Sequence, residues 1–170
     1  FGVDAPSRKP LTWSTPVAAT WPGVKRDWRG LVSMGQSVRI KGPAGAPFLA
    51  NHGQAGYFRT LYDDKAFGRL KASFGTLAPA DQLGLLYDYW AFGQEGTAPV
   101  SDWLDLAAKL PADANPVVWM QVSDVLGQID RLYDGNPGQT AWRSRARALL
   151  APVWARVGWT PVAGAPAPAV

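Results

Sequence analysis

The 170-residue chain contains no cysteine and only one histidine, His52. The absence of cysteine excludes disulfide bonds, thiolate metal ligands and cysteine nucleophiles. A catalytic zinc site of the His/His/Glu type needs two imidazoles, usually from H-E-x-x-H on one helix, and this chain cannot supply them. No G-x-S-x-G string provides the context for a Ser-His-Asp arrangement. We therefore predict no catalytic residues and no metal or cofactor in this chain, and interpret His52 as a turn residue.

The sequence also lacks long apolar runs and a leader pattern. No stretch approaches the roughly 20 apolar residues that span a bilayer, so we predict no membrane span. The N-terminus has no basic segment followed by an apolar one, as a signal peptide would. The chain opens on Phe1 rather than on methionine, which we interpret as a sign of a piece cut from a longer polypeptide. Nothing in the residues indicates a compartment.

Charge is distributed in three blocks along the chain. Residues 1–62 carry eight basic and two acidic side chains, residues 63–136 five basic and eleven acidic, and residues 137–170 four arginines and no acid. Adjacent blocks of opposite sign fit domains that face one another and argue against a single surface for a polyanion. We predict no nucleic-acid partner. The last arginines are interpreted as a solvated face, with an anion site as the alternative: Arg143, Arg145, Arg147 and Arg156.

The first part of the chain has the spacing of short strands and turns. Residues 11–21 alternate loosely, and Pro16 predicts an edge strand or a bend. Residues 30–42 predict a clearer strand, because Val38 and Ile40 alternate with polar side chains. Few short strands make a thin core, so we expect this part to depend on a neighbour.

Residues 48–62 predict a β-hairpin. A short apolar run reaches Asn51, a glycine-bracketed turn follows, and the segment after it is aromatic and extended. Asp63 comes next as a candidate helix N-cap. The sequence thus predicts a junction between an all-β part and a helical part at this point.

Beyond the junction, apolar residues recur at helical spacing and predict five amphipathic helices. Their predicted starts are Asp63 or Asp64, Pro79, Ser101, Asn115-Pro116 and Asn136-Pro137. The predicted core faces are Phe67, Leu70, Lys71 and Phe74; Leu83, Leu86, Tyr87 and Trp90; Trp103, Leu104, Ala107 and Leu110; Val118, Val122, Val125, Leu126 and Ile129; and Trp142, Ala146, Leu149, Leu150 and Val153.

The expected fold class is α+β, in three parts. Residues 1–62 form a small β-sandwich-like domain, and residues 63–160 form an α-helical array of about five helices. Short links between amphipathic helices are typical of HEAT-like α-solenoids. Residues 161–170 are rich in proline and alanine and predict a tail or linker.

Two groups of side chains could in principle carry function. Asp81 and Asp88 lie two helical turns apart and could be paired carboxylates, but we interpret them as a first-turn residue favoured by the helix dipole and a solvated residue. Trp21 and Trp28 lie among basic residues and offer a possible ligand or partner surface. The other tryptophans on helical stripes are interpreted as core: Trp90, Trp103, Trp119, Trp142 and Trp154.

Several motifs resemble the zinc aminopeptidases of the aminopeptidase N type, which include the puromycin-sensitive and endoplasmic-reticulum aminopeptidases. The string from Asn51 through a Gly-x-x-Gly turn to Tyr-aromatic-Arg-x-x-Tyr-Asp is similar to the end of their small β-sandwich domain. A Trp-x-x-Pro strand and an Asp-x-x-x-Leu-x-x-Asp helix also match, although Gln82 replaces the family's usual arginine. The matching residues are Trp13, Pro16, Asn51, Gly56, Tyr57, Arg59, Tyr62, Asp63, Asp81, Asp88, Trp119, Gly158 and Trp159.

The resemblance implies a non-catalytic fragment of such an enzyme. In the family, zinc is held by H-E-x-x-H and a more distant glutamate, and a Gly-x-Met-Glu-Asn loop holds the substrate amine; this chain has neither string. The fragment would brace the catalytic domain and help to wall the substrate chamber. Its partners would be the catalytic and remaining helical domains of the parent chain and the parent's peptide substrates, and zinc would belong to the parent. The alternatives are a free-standing α-solenoid interaction module and, more weakly, a tryptophan-mediated sugar binder.

Overall fold

A computed structural model describes residues 12–158 of the chain. Over these residues a three-stranded antiparallel sheet is followed by five α-helices, which confirms the α+β class. The chain divides into two compact units that meet between Ser73 and Phe74. We call their described parts the N-terminal unit (residues 12–73) and the helical unit (residues 74–158). The predicted tail at 161–170 lies outside the described residues.

The sheet consists of β1 (Ser14–Trp21), β2 (Val24–Ser33) and β3 (Leu49–Ala50), in the order β2-β1-β3. A tight Pro22-Gly23 turn joins β1 to β2, and Gly23 has a φ of 82°. Proline followed by glycine suits this turn because proline fixes a negative φ and glycine tolerates a positive one. The turn therefore sets the antiparallel register of the two long strands.

Pro16 lies inside β1, which is the central strand of the sheet. The prediction of an edge strand was wrong for β1 as a whole. However, β3 pairs with β1 only at Ala19 and Thr20. One side of β1 at Pro16 therefore has no strand partner within residues 12–158, which is a position where a missing N–H is tolerated.

The strand predicted within residues 30–42 was wrong. The observed strand is β2, which ends at Ser33, and residues 36–43 are irregular. Pairing with β1 selects the earlier segment, since β2 is aligned with β1 from Trp21↔Val24 to Ser14↔Ser33. Val38 and Ile40 instead line a cavity beside the sheet.

The predicted hairpin over residues 48–62 was also wrong. β3 is only two residues long, a 3-10 turn follows at His52–Gln54, and residues 57–62 are assigned to no strand. The backbone N–H of Ala50 donates to the hydroxyl of Tyr62 at 3.0 Å. The hydroxyl of Tyr62 therefore accepts the backbone hydrogen bond that the expected second strand would have accepted.

The helices begin largely where the capping signals predicted. The Oδ1 atom of Asp63 accepts a bond from the N–H of Ala66 at 2.8 Å, Pro79 opens the second helix, and Asn115 accepts from the N–H of Val117. These contacts satisfy backbone donors that the first turn leaves free. The observed helices are α1 (Asp64–Ser73), α2 (Pro79–Glu95), α3 (Val100–Ala107), α4 (Pro116–Leu132) and α5 (Gln139–Val157).

Two predicted starts were wrong by a few residues. Ser101 lies inside α3, whose N-cap is Pro99 in extended geometry. At α5, the side chain of Asn136 accepts from the N–H of Gly138 at 2.8 Å, and the helix begins at Gln139. At Asn136 a turn before the helix therefore satisfies the polar side chain that was expected to cap it.

The core of the helical unit is built around α2 and α4. The predicted face of α4 is confirmed in full, since Val118, Val122, Val125, Leu126 and Ile129 are all buried. Burial of a side chain of this size contributes about 1.5–3 kcal/mol. α2 packs against both α3 and α4, so it is covered on more than one side.

The predicted face of α2 was wrong in part. Tyr87 is 53% exposed, whereas Tyr89 is buried. Because α2 carries apolar residues around much of its circumference, spacing alone does not single out one face. Contact with two neighbouring helices selects the buried residues, which are Leu85, Leu86, Tyr89 and Phe92.

Candidate functional site

Asn51 is the centre of the junction that follows the sheet. It is almost fully buried and has a φ of 55°, in the left-handed region that asparagine tolerates better than most residues. Its Oδ1 accepts from the N–H of Gly56 at 2.7 Å, and its Nδ2 donates to the carbonyl of Gly56 at 2.9 Å. The side-chain amide therefore pairs with Gly56 as a strand backbone would. Weaker bonds from Nδ2 reach Gln54 and Phe58.

Glycine is required at position 56 because neighbouring atoms approach its backbone closely, and not because of the turn geometry. A Cβ at this position would lie 2.2 Å from the ring of Phe58 and 3.0 Å from the carbonyl oxygen of Pro16. The loop therefore rests directly on β1, held from one side by Asn51. The family motif of an asparagine and a glycine five residues later thus has a local structural explanation.

Other residues of the motif lie around this loop rather than in a cluster. Tyr57 is fully exposed, and Arg59 is exposed as well. Asp63 caps α1 through Ala66. His52 belongs to the 3-10 turn beside Asn51, as the turn interpretation expected. The motif therefore combines a buried structural centre with an outward-facing tyrosine and arginine.

Asp81 and Asp88 are both buried, at 2% and 9% exposure. The interpretation of these carboxylates as capping and solvated residues was wrong as to their exposure, although Asp81 does lie in the first turn of α2. Gln82, also buried, donates from Nε2 to the carbonyl oxygen of Phe74 at 3.1 Å. The amide thereby ties the start of α2 to the turn that precedes it, where the family usually has an arginine.

The remaining motif residues are dispersed. Trp119 is buried, and its Nε1 donates to the carbonyl of Pro111 at 3.1 Å. Trp13 is 66% exposed at the start of β1. Gly158 closes α5 at a φ of 70°, and Trp159 lies outside the described residues.

The two tryptophans considered for a ligand surface belong to the sheet. Trp21 is buried against Phe48, with ring centroids 5.4 Å apart, and the guanidinium of Arg26 lies 5.6 Å from its ring. Trp28 covers Gly30, where a Cβ would lie 2.5 Å from the indole. Trp21 is therefore a core residue. The prediction that Trp154 lies in the core was wrong, since Trp154 is 45% exposed.

An open cavity of about 630 Å³ lies on the apolar side of the sheet. Val17 and Val32 form its strand wall, and Phe48 and Phe58 come from the segments on either side of the Asn51 loop. Exposed apolar side chains surround it, namely Trp13, Met34, Val38 and Leu61. An exposed apolar concavity of this kind is a candidate contact surface.

One ion pair joins α4 to α5. Arg143 donates from Nε and Nη2 to the two carboxylate oxygens of Asp130, at 2.8 and 2.9 Å. The hydrogen bonds from Arg143 are the main reason that the pKa of Asp130 is lowered, and the pKa of Arg143 is correspondingly raised. Arg143 therefore joins α4 to α5 and is not part of a free arginine surface.

Residues 12–158 contain no group of three or more histidine, cysteine, aspartate or glutamate side chains able to hold a metal ion. The donors that a His/His/Glu zinc site needs do not come together here. Among the same residues, no helix combines the length and apolarity needed to cross a bilayer.

Sequence reasoning missed Phe58, and it assigned no structural role to Tyr62 or Gln82 although both lie in the motifs. Phe58 and Tyr62 hold the loop after Asn51, and Gln82 holds the start of α2. The position of Gln82 within an apolar helix was a signal, because a polar side chain among buried residues must find a partner. No comparable signal in the sequence identifies the bond from Ala50 to Tyr62.

The comparisons with known proteins bear on most of the chain. A family model described as the ERAP1-like C-terminal domain matches residues 47–167. Aminopeptidase 2 of Candida albicans is 28% identical over 129 residues, which is 73% of this chain and 14% of that protein.

Two more distant relatives match shorter stretches. The mitochondrial Aminopeptidase 2 of Saccharomyces cerevisiae is 24% identical over 114 residues, 66% of this chain and 12% of that protein. The Tricorn protease-interacting factor F2 of Thermoplasma acidophilum is 26% identical over 100 residues, 59% of this chain and 12% of its own length. The chain thus spans between about an eighth and a seventh of the length of these curated relatives.

Proposed function

The chain belongs to the family of ERAP1-like C-terminal domains, and on that premise we propose that it is a non-catalytic part of a zinc-dependent aminopeptidase. In this role it braces the catalytic domain of the parent protein and forms part of the wall of the chamber that receives peptides. The parent would remove N-terminal residues from peptides. The family match over residues 47–167 is the observation that carries the proposal.

Two further observations support a role without catalysis. Two relatives are named aminopeptidases, and the chain corresponds to only 12–14% of their length. The chain has a single histidine, which is too few imidazoles for the zinc site that such an enzyme uses. Zinc, where the parent holds it, would polarise the peptide carbonyl and activate water, with ligands from outside this chain.

The shape of each unit fits bracing. We propose that the three-stranded sheet is one part of a β-sandwich and that the five helices open a HEAT-like array. The exposed cavity beside Val17 and Val32 is where a second sheet of the sandwich would lie. The Asn51 loop then ends the sheet with a turn whose backbone groups are held by a buried side chain.

A hydrolysis assay tests the proposal directly. The purified 170-residue chain and the product of its full reading frame are incubated with a chromogenic aminoacyl-anilide, with and without added zinc. We expect turnover by the longer product and none by the chain alone. Chelator-sensitive turnover by the chain alone would overturn the non-catalytic assignment.

The second candidate is a free-standing interaction module, which a groove in the helical unit favours. The reading frame discriminates between the two candidates. H-E-x-x-H upstream and further helices downstream support the aminopeptidase, whereas a start codon before Phe1 and a stop codon after Val170 support the module. An aminopeptidase parent lacking H-E-x-x-H would contradict the zinc chemistry.

A further inference from the structure

The outer edge of β2 has no strand partner in the described part of the chain. The sheet order is β2-β1-β3, so β2 pairs with β1 on one side and with no other strand among residues 12–158. β2 is 10 residues long, whereas exposed edge strands are usually kept short. An edge of this length presents a row of backbone donors and acceptors to another extended chain.

The hydrogen-bond pattern of the sheet determines which residues face this edge. The N–H of Met34 donates to the carbonyl oxygen of Trp13 at 2.8 Å, and the register of β2 on β1 is unbroken from Ser33 to Asp27. Bonded and non-bonded pairs alternate along an antiparallel ladder, so the even-numbered residues from 28 to 32 bond to β1. The backbone groups of the odd-numbered residues, Asp27 and Arg29 among them, therefore point outward.

The charges along this edge are complementary to themselves. When two β2 strands pair antiparallel about a two-fold axis, the bonded residues are odd-numbered in both copies, because only their backbone groups face outward. With the axis at Trp28, Asp27 of one copy lies opposite Arg29 of the other, and this pair occurs twice. An axis at Asp27 or at Arg29 sets like charges opposite each other, which is destabilising. An axis at Arg26 carries the pairing into the turn that precedes β2.

Asp27 and Arg29 lie on the solvated face of the sheet. Both are exposed, and they are aligned with Thr20 and Ala18 of β1. Successive side chains of a strand alternate between the two faces, so this face is opposite to the cavity that Val32 lines. Ion pairs in such a position add little affinity but fix the register. The backbone hydrogen bonds would therefore supply most of the affinity, and the charges would select the alignment.

We propose that two copies of this chain pair through the outer edges of β2, antiparallel and centred on Trp28. The product is a continuous six-stranded sheet, with three strands from each copy. A second copy is the occupant because β2 carries both members of the charge pair, whereas a foreign peptide would have to supply them in the same register. The pairing uses residues of the sheet alone and is independent of any aminopeptidase activity of a longer protein.

Charge reversal tests this pairing in the 170-residue chain. Asp27→Arg gives an edge with positive charges at both positions, and Arg29→Asp gives an edge with negative charges at both. Each variant alone is expected to dimerise at least about tenfold more weakly than the unaltered edge in sedimentation equilibrium, because like charges oppose each other twice. An equimolar mixture of the two variants should regain about the original affinity, since opposite charges meet again.

Two controls separate this edge from other causes of association. Met34→Ser and Leu61→Ser are present in every chain, because they remove exposed apolar side chains that line the cavity. Arg39→Asp and Asp124→Arg make the same changes of net charge at exposed positions outside the strands, and should leave dimerisation unchanged. A mixture no stronger than the single variants would overturn the proposal. So would an unaltered edge that stays monomeric at the highest soluble concentration, whether or not it binds an extended peptide.

Disulfide trapping tests the register. The chain has no cysteine, so each introduced cysteine reports one contact. When Asp27→Cys is mixed with Arg29→Cys, the two substituted positions lie opposite each other at a Cα separation of about 5.5 Å, which a disulfide can bridge, and the second charge pair stays intact. We expect covalent dimers to form at least about fivefold faster in the mixture than in either variant alone. Equal rates in all three samples would refute the register centred on Trp28.

Discussion

At the residue scale, Asn51 combines two properties at one position. It adopts a left-handed backbone conformation, and its amide both donates to and accepts from Gly56. Aspartate could accept but not donate, and glycine could adopt the backbone but not bond. The residue therefore fixes the path of the chain where the sheet ends.

Replacing Asn51 separates these two contributions. Asn51→Gly keeps the backbone conformation but leaves buried groups of Gly56 without partners, and should lower the free energy of unfolding of the N-terminal unit by about 2–3 kcal/mol. Asn51→Ala should cost about 1 kcal/mol more, because alanine is strained at positive φ. Native-state hydrogen exchange at the amides of residues 49–56 measures both.

The control for this comparison is Tyr57→Ala, which removes a fully exposed side chain of the same loop. Its effect should stay within about 0.5 kcal/mol. An Asn51→Ala variant more stable than Asn51→Gly would show that the left-handed backbone does not contribute.

At the element scale, the pair of α4 and α5 is joined by the two hydrogen bonds between Arg143 and Asp130. α5 buries only Trp142 fully, and the ring of Trp142 stacks on Tyr133 at 6.3 Å. The position of α5 therefore depends on few contacts, of which a charged pair is one. Salt and pH should affect this helix more than they affect the buried face of α4.

Removing Arg143 should raise the pKa of Asp130. The pKa of Asp130 is lowered in the folded chain, first by the hydrogen bonds of Arg143, so the pair stabilises the fold above the unfolded pKa and loses that effect as pH falls through the folded value. Arg143→Gln should raise the pKa of Asp130 toward its ordinary value of 3.8, as followed by carboxyl-carbon NMR titration.

The pH dependence of stability tests the direction of this pKa shift independently. The difference between the unaltered chain and Arg143→Gln should be present near neutral pH and be lost as pH falls through the lowered pKa of Asp130. Arg147→Gln, which leaves the pair of Arg143 and Asp130 intact, should leave the titration of Asp130 unchanged. A lowered pKa of Asp130 that persists in Arg143→Gln would disprove the assignment of its cause.

At the scale of the whole molecule, the N-terminal unit carries an exposed apolar surface beside its sheet. The cavity beside the sheet is surrounded by Trp13, Met34 and Leu61, each at least half exposed. Apolar patches of this kind promote association. In the proposed β-sandwich, this surface faces the second sheet.

Self-association of the isolated chain should therefore depend on this patch. The double substitution Met34→Ser and Leu61→Ser is expected to weaken self-association about tenfold in sedimentation experiments. Met120→Ser is the matched control, because Met120 is equally exposed but lies in the helical unit. Equal effects of the two changes would show that association has another origin.

Sequence patterns predicted helices better than strands, for identifiable reasons. Pro79 and Asn115 fixed the starts of α2 and α4 because their signals act on the nearest backbone turn. The strand at Val24–Ser33 was missed although Pro22-Gly23 precedes it, because its side chains do not alternate cleanly. Its pairing with β1 depends on contacts between separate segments of the chain.

The amino-acid sequence by itself determined the family motifs, the number and approximate start of the helices, and the absence of the imidazoles a zinc site requires. These features depend on residue identity and on spacing over a few turns. Only the tertiary structure decided that Asp81 and Asp88 are buried, that Asn51 binds Gly56 as a strand would, and that a groove lies open between α3 and α5. Burial and pairing depend on which elements meet, and short-range patterns carry little information about such encounters.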